Sequence, residues 1–301
     1  MKLRRQIVAA AFALLLSGTV HLAAQNTALG FIRIDRNPRS SALAGAGAAS
    51  LENGAYAAFR NAAMLPSLPG LGDAFASLQL WQMSNEVDKT TNLAAGTGFH
   101  WDHFAIAMGG VYQKGLPSGE FTPSDYLFSM GVAYNILDLV SVGVNFRYAG
   151  QNFSQTAKLG AVSVDLSVAG QLGPELTLLC TVAGLGPKVK GSTAEYSQPA
   201  YARLGLSWNQ SLAQKHNVEL MLDTEYNFEK SMAAITGAEY AFDKLLFVRI
   251  GYRLATKNAI LPSHLGLGLG VQFQGFRADI SYLTASPVVG NTLSFGVGYS
   301  F

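Results

Sequence analysis

Only one short stretch of the 301 residues places ligand-type side chains close enough together to suggest chemistry. His100-Trp101-Asp102-His103 offers two imidazoles and a carboxylate, a donor set that zinc accepts. The histidines flank a short link between apolar stretches, and the tryptophan beside them reads as a membrane-interface residue, so a turn is the stronger reading. Ser263-His264 sets a hydroxyl beside an imidazole, as a lipase on a barrel wall would, but nothing supplies an orienting partner. Gly266–Gly270 alternates glycine with leucine, which is a strand signature, whereas a phosphate loop would need a following helix. Cys180 is the only cysteine, so an intramolecular disulfide is impossible and a Cys-based zinc site would lack the further thiolates it needs. In the apolar stretch 176–185 it reads as a buried or lipid-facing thiol. The expectation is a chain that is not an enzyme, with no catalytic, metal or cofactor site.

The remaining charges form a pattern. Glu219, Asp223 and Glu225 share one face of an alternating stretch, and Arg203, Arg249 and Arg253 take the same face on nearby stretches. One reading is a polar track for a substrate inside a barrel. The stronger reading is an internal ion-pair network, because buried charges demand partners and Arg33, Arg36 and Arg39 of the N-terminal segment need them too.

Strands are what would position these groups. In Thr292–Phe301, Leu293, Phe295, Val297, Tyr299 and Phe301 alternate with small or polar residues, so a period of two puts all five on one face. An aromatic C-terminus of this kind resembles the signal that barrel-assembly machinery reads. Similar alternation recurs at Leu265–Phe273, Val142–Tyr148, Val162–Val168, Val218–Asp223 and Phe276–Tyr282, with charges opposite the bulky apolar groups. Lipid outside and a polar lumen inside require that arrangement. The pattern predicts about fourteen strands, near 73–83, 92–100, 103–113, 126–136, 139–150, 157–170, 175–185, 199–210, 216–228, 232–242, 245–254, 264–273, 276–284 and 291–301. Two-residue links (Trp101–Asp102, Leu137–Asp138, Asp243–Lys244, Gln274–Gly275) alternate with longer ones (Ser84–Thr91, Lys114–Asp125, Gly186–Gln198, Ala255–Ser263). Short periplasmic turns and longer extracellular loops are the outer-membrane layout, and an even strand count then predicts both termini on the periplasmic side.

Composition agrees. Charged residues are 13% of the chain, against about 25% in an ordinary soluble domain, while glycines number 32. No stretch beyond the N-terminus is long enough for a membrane helix, and a closed barrel is the other way to pair every backbone group in lipid. Lys2, Arg4 and Arg5, the apolar run 7–16 and the small residues up to Ala24 predict a signal peptide over 1–24. Its removal leaves a chain near neutrality, which excludes the basic surplus of a nucleic-acid binder. Residues 25–72 lack strand alternation but carry Phe31, Ile32, Ile34, Leu43 and Leu51, too apolar for disorder. They are expected to form a plug inside a barrel of residues 73–301.

Asn37-Pro38-Arg39-Ser40-Ser41-Ala42-Leu43-Ala44-Gly45-Ala46-Gly47 resembles the segment that opens FadL-like barrels, particularly of the PorV/PorQ family. That family follows it with Asn-Pro-Ala; here Asn61 matches and Ala62 replaces the proline. Gly275–Tyr282 and Gly290–Leu293 also look like this family, so the resemblance spans nearly the whole mature chain. It implies a fourteen-stranded barrel whose plug motif is Pro38, Arg39, Gly45, Gly47 and Asn61, in a Gram-negative outer membrane. It also implies an accessory or shuttle role in type IX secretion, with secretion components and cargo proteins as partners beside lipid and the assembly machinery. A FadL-like channel for small hydrophobic molecules is the alternative.

Overall fold

A computed structural model describes residues 27–82, 90–115, 121–136, 139–154, 157–191, 194–284 and 291–301. The expected signal peptide and the Leu137–Asp138 link lie outside these residues. The strands are β1 (Gly72–Gln82), β2 (Thr90–Trp101), β3 (Phe104–Lys114), β4 (Ser124–Ile136), β5 (Val140–Asn152), β6 (Lys158–Gln171), β7 (Leu176–Leu185), β8 (Val189–Lys190), β9 (Glu195–Tyr196), β10 (Tyr201–Ala213), β11 (His216–Asn227), β12 (Ser231–Phe242), β13 (Leu246–Ala255), β14 (His264–Phe273), β15 (Phe276–Leu283) and β16 (Asn291–Ser300). All but β8 and β9 form one closed antiparallel barrel of fourteen strands, sealed where β1 pairs with β16. The pair β8–β9 is a small hairpin inside the β7–β10 connection.

Side-chain alternation decides what each face meets. On β14, Leu267, Leu269 and Val271 are exposed on the outer face while Gly266 and Gly270 are buried inside. On β16, Phe295, Val297 and Tyr299 point out, whereas Thr292 and Ser294 are buried. Leu, Val, Ile and aromatic side chains cover the outer wall, a surface suited to hydrocarbon, and the chain is a transmembrane barrel. Aromatic pairs mark both rims of the apolar band. Trp101 packs on Phe104 at 5.1 Å and Phe276 on Tyr299 at 4.5 Å at the rim of tight turns. Tyr126 and Tyr148, 6.0 Å apart, sit at the other rim. From Phe104 to Tyr112 along β3 is about 26 Å, or about 20 Å of height after strand tilt, close to the band a bilayer needs.

The tight turns have the backbone that a strongly twisted hairpin requires. Asp243 and Lys244 both have positive φ (56° and 53°), as do Gln274 and Gly275 (49° and 85°). The other rim carries the longer connections, such as 186–200 and 256–263, with shorter ones at 153–157 and at 228–230 between β11 and β12.

Residues 27–71 run down the inside of this wall. Thr27 bridges Ser197 in the β7–β10 connection, at the rim of long connections. The chain then makes a three-ten turn (Gly30–Arg33), a short helix α1 (Pro38–Ala42), and three-ten stretches at Leu51–Phe59 and Ala62–Ser67. Helix α1 packs on the inner faces of β13–β16, Leu51–Phe59 on β1–β4, and Ala62–Ser67 on β2–β6. At the far rim the N–H of Leu71 donates to the Phe301 carbonyl at 2.7 Å. The two described ends of the chain, Thr27 and Phe301, therefore stand at opposite rims, whereas strand parity predicts one side for both. Parity governs where β1 starts and β16 ends; it is silent about a segment that crosses the lumen first.

Close packing inside needs small residues on both partners. A Cβ on Gly251 would overlap the backbone of Leu43, and one on Gly143 the backbone of Ala62 and Ala63. Ala42, Leu43, Ala55, Ala57, Ala58, Ala62 and Leu65 are fully buried as a result.

Candidate functional site

Arg39 begins the site because its surroundings leave it little freedom. Asn37 caps α1 by accepting from the Arg39 N–H at 3.0 Å, and Pro38 supplies the fixed φ that suits a first helical position. The Pro38 ring lies where Gly296 of β16 has no side chain. From there the Arg39 fork reaches Glu239 through Nε and Nη2 (2.8 and 2.9 Å), Glu219 through Nη2 (2.8 Å) and Ser50 through Nη1 (3.0 Å). Glu239 also accepts from Arg249, which in turn pairs with Asp279. The guanidinium thus sits between two carboxylates, with donors committed to both.

A second cluster lies nearer the rim of long connections. Glu225 accepts from Arg33 and from Arg253 (2.6 Å), with Arg203 at 4.0 Å; Arg203 pairs with Asp223 at 2.9 Å. The Arg33 guanidinium stacks 3.5 Å over the Tyr201 ring. Arg203, Glu219, Asp223, Glu225, Arg249 and Arg253 are thus all buried on the inner wall, but in two clusters, each tied to the N-terminal segment. Glu239, Asp279, the Arg147–Asp165 pair and the Arg277–Asp73 pair extend the network beyond the six residues singled out from sequence. Inward parity on their strands was the available signal.

The motif residues of the segment serve its backbone. Gly45 and Gly47 have φ of 90° and 83°, the left-handed region that favours glycine. The Gly45 carbonyl accepts from Arg60 (2.8 Å) and from Arg203, and a Cβ on Gly47 would strike Met221. Asn61, buried, donates from Nδ2 to the Ala48 carbonyl. The Ala62 N–H donates to Asn145 Oδ1 at 2.9 Å, a bond that the proline of the related motif could not make.

The histidine cluster forms a turn. Asp102 has φ of 52°, its carboxylate is 3.6 Å from His103 Nε2, and Trp101 is exposed on the wall. Among the described residues no three metal-type donors converge. Ser263 exchanges hydrogen bonds with the backbone of Ala255, and the His264 ring contacts the Pro262 carbonyl at 2.9 Å, so neither is arranged for nucleophilic attack. Cys180 is buried in the wall.

Between the wall and residues 30–36 lies a cavity of about 400 Å³ under the long connections. Phe31, Ile34, Phe59, Leu127, Ile260 and Leu283 form its apolar lining. Arg36, Gln79, Gln113, Asp125 and Gln151 form a polar side. The Arg36 guanidinium donates from Nη2 to the Phe31 carbonyl at 2.9 Å and from Nη1 to Gln79 Oε1 at 3.4 Å. This cavity is illegible in the sequence because its lining comes from the segment, ten strands and two connections at once.

No family model and no curated protein sequence matches the chain. Solved structures do. The toluene transporter TbuX of Ralstonia pickettii superposes with a TM-score of 0.65 at 12% identity, covering 88% of this chain and 98% of that one. The toluene transporter TodX of Pseudomonas putida gives 0.61 at 13%, covering 93% and 98%. A FadL homologue of Pseudomonas aeruginosa gives 0.62 at 11%, covering 88% and 98%. At such identities the likeness is one of fold, and the fold is that of FadL-like barrels.

Proposed function

We propose that this chain is an outer-membrane channel for small hydrophobic molecules, with its tight turns in the periplasm and its long connections outside. The observation that carries the reading is the cavity of about 400 Å³, apolar along most of its wall and set inside the barrel beneath the long connections. A pocket of that size and lining suits a small apolar ligand. The likeness in fold to two toluene transporters supports it. Residues 27–71 act as a hatch: they fill the lumen below the cavity, and the two arginine–carboxylate clusters hold them there. A ligand captured from outside would rest in the cavity until this segment yields.

The test is uptake of a labelled monoaromatic hydrocarbon by cells with and without the gene. Equal uptake would remove the reading. The secretion role stays as a second proposal, resting on the motif resemblance at Asn37–Gly47 and Asn61. It predicts surface proteins missing from cells that lack the gene, and an unchanged set of surface proteins would end it.

A further inference from the structure

Five inward side chains at the outer end of β1–β5 fall into one row. Gln79 stands directly opposite Asn92, Asn92 opposite Gln113, Gln113 opposite Asp125, and Asp125 opposite Gln151. With strands about 4.8 Å apart, the row extends about 19 Å around the wall. Gln79, Asn92, Gln113 and Asp125 are each more than nine-tenths buried. Their mutual bonds run along the row: Asn92 Nδ2 donates to Gln79 Oε1 (3.2 Å) and Gln113 Oε1 (3.4 Å), and Gln113 Nε2 donates to Asp125 Oδ2 (3.1 Å). An amide carries two donor hydrogens and two lone pairs, so these bonds use part of what the row can offer.

One end of the row serves the N-terminal segment, since Gln79 Nε2 donates to the Asp35 carbonyl and its oxygen receives Arg36 Nη1 at 3.4 Å. The other end, Gln113, Asp125 and Gln151, lines the cavity. Arg36, 3% exposed, also lines it, and its Nε has no hydrogen-bond partner among the described residues. Buried polar groups of this kind call for a ligand with a matching polar edge.

The geometry points to an amphiphile with a compact apolar body and a neutral, hydroxyl-rich head as the ligand of this cavity, the head lying along the amide row. This deepens the channel reading and rests on it. Hydroxyls suit the row because each can both donate and accept, as the amides do. A carboxylate head suits it less. Arg33, Arg203 and Arg253 already share Glu225 and Asp223, and Arg60 pairs with Asp35 at 3.1 Å. Arg36 already donates to the Phe31 carbonyl and to Gln79, and Asp125 beside it would repel an anion at the row itself. A pure hydrocarbon would leave Arg36 and the amides buried against apolar surface, at a cost.

The experiment is isothermal titration of the full chain in lipid nanodiscs, corrected for empty nanodiscs, with phenyl β-D-glucopyranoside, benzoate, glucose and toluene. The glucoside should bind roughly ten-fold more tightly than benzoate or glucose. Gln113→Leu and Gln151→Leu should each weaken it about five-fold, one neutral hydrogen bond's worth, and leave toluene unchanged. If Gln113→Leu fails to fold, Gln151→Leu, at the partly exposed end of β5, carries the test. Benzoate binding as tightly as the glucoside, or variants that bind like wild type, would overturn the inference. Toluene binding without the glucoside sinks this inference and spares the channel; neither binding sinks both.

Discussion

Glu219 and Glu239 stand directly opposite each other on β11 and β12, and the guanidinium of Arg39 hydrogen-bonds to both. Like charges directly opposed on neighbouring strands repel, and burial strengthens the repulsion. The pair is tolerable because a planar fork from the N-terminal segment lies between the two carboxylates. The segment and the wall are thus electrostatically incomplete without each other.

Replacing Arg39 by methionine should therefore cost more than lost packing. Breaking a buried ion pair on one side costs about 3–5 kcal/mol. Arg39→Lys should recover only part, because an ammonium cannot bridge both carboxylates with the same geometry. Adding Glu219→Gln to Arg39→Met should restore stability by removing the uncompensated repulsion. Thermal unfolding in detergent measures all three, and an additive double variant would show that the two groups are not coupled.

A proline at position 62 tests how this chain departs from the related motif. Asn61 is extended (φ −162°, ψ 90°) and outside the helical region that a following proline disfavours, so backbone shape alone does not forbid it. The substitution nonetheless removes the N–H that Asn145 Oδ1 receives at 2.9 Å in a fully buried place. Ala62→Pro is expected to destabilise by about 1–3 kcal/mol. The loss should shrink when Asn145 is also changed to alanine. Equal losses in both backgrounds would assign the effect to the ring's bulk instead.

What was legible in the sequence follows from what has a period. Strong alternation in β14, β16 and β11 located those strands and their faces. In β12 the inward residues are mostly small (Ala233, Gly237, Ala241), so Glu239 stands alone and carries no repeating signal. The hairpin β8–β9 has two residues per strand, too few to carry a period. Leu51–Phe59 is a three-ten segment kinked at Gly54, whose φ is 59°, too irregular to carry a helical period. The amide row was illegible for another reason: its members lie on five strands, and only the register brings them level.

Two neighbouring residues on β14 separate lipid from lumen. Leu269 is 57% exposed on the outer wall, and Leu269→Arg would place a charge in hydrocarbon at about 2–4 kcal/mol near the midplane. Poor assembly, seen as lost heat-modifiable mobility on a gel, is expected. Gly268 faces Ala42 of α1 so closely that a Cβ there would overlap it. Gly268→Ser should insert yet loosen the segment, exposing residues 38–50 to protease. If Leu269→Arg assembles normally while Gly268→Ser does not insert, the assignment of the two faces is reversed.

The last prediction concerns which rim carries the start of the folded chain. Thr27 bridges Ser197, the Ala28 N–H donates to the Ser197 carbonyl at 3.0 Å, and Gly30 lies beside Ile260 of the β13–β14 connection. Each partner belongs to the rim of long connections, while Leu71 and Phe301 meet at the rim of tight turns. If the long connections face outward, an epitope placed immediately before Thr27 should be labelled on intact cells, as should epitopes in Lys114–Asp125 and Gly186–Gln198. Epitopes at Asp243–Lys244 or after Phe301 should be labelled only after lysis. An epitope before Thr27 that behaves like the one at Asp243–Lys244, while Gly186–Gln198 is labelled on intact cells, would mean that the segment does not cross the lumen. The buried pairs of Arg33 with Glu225 and of Arg39 with Glu219 and Glu239 would then have to break, because both depend on that path.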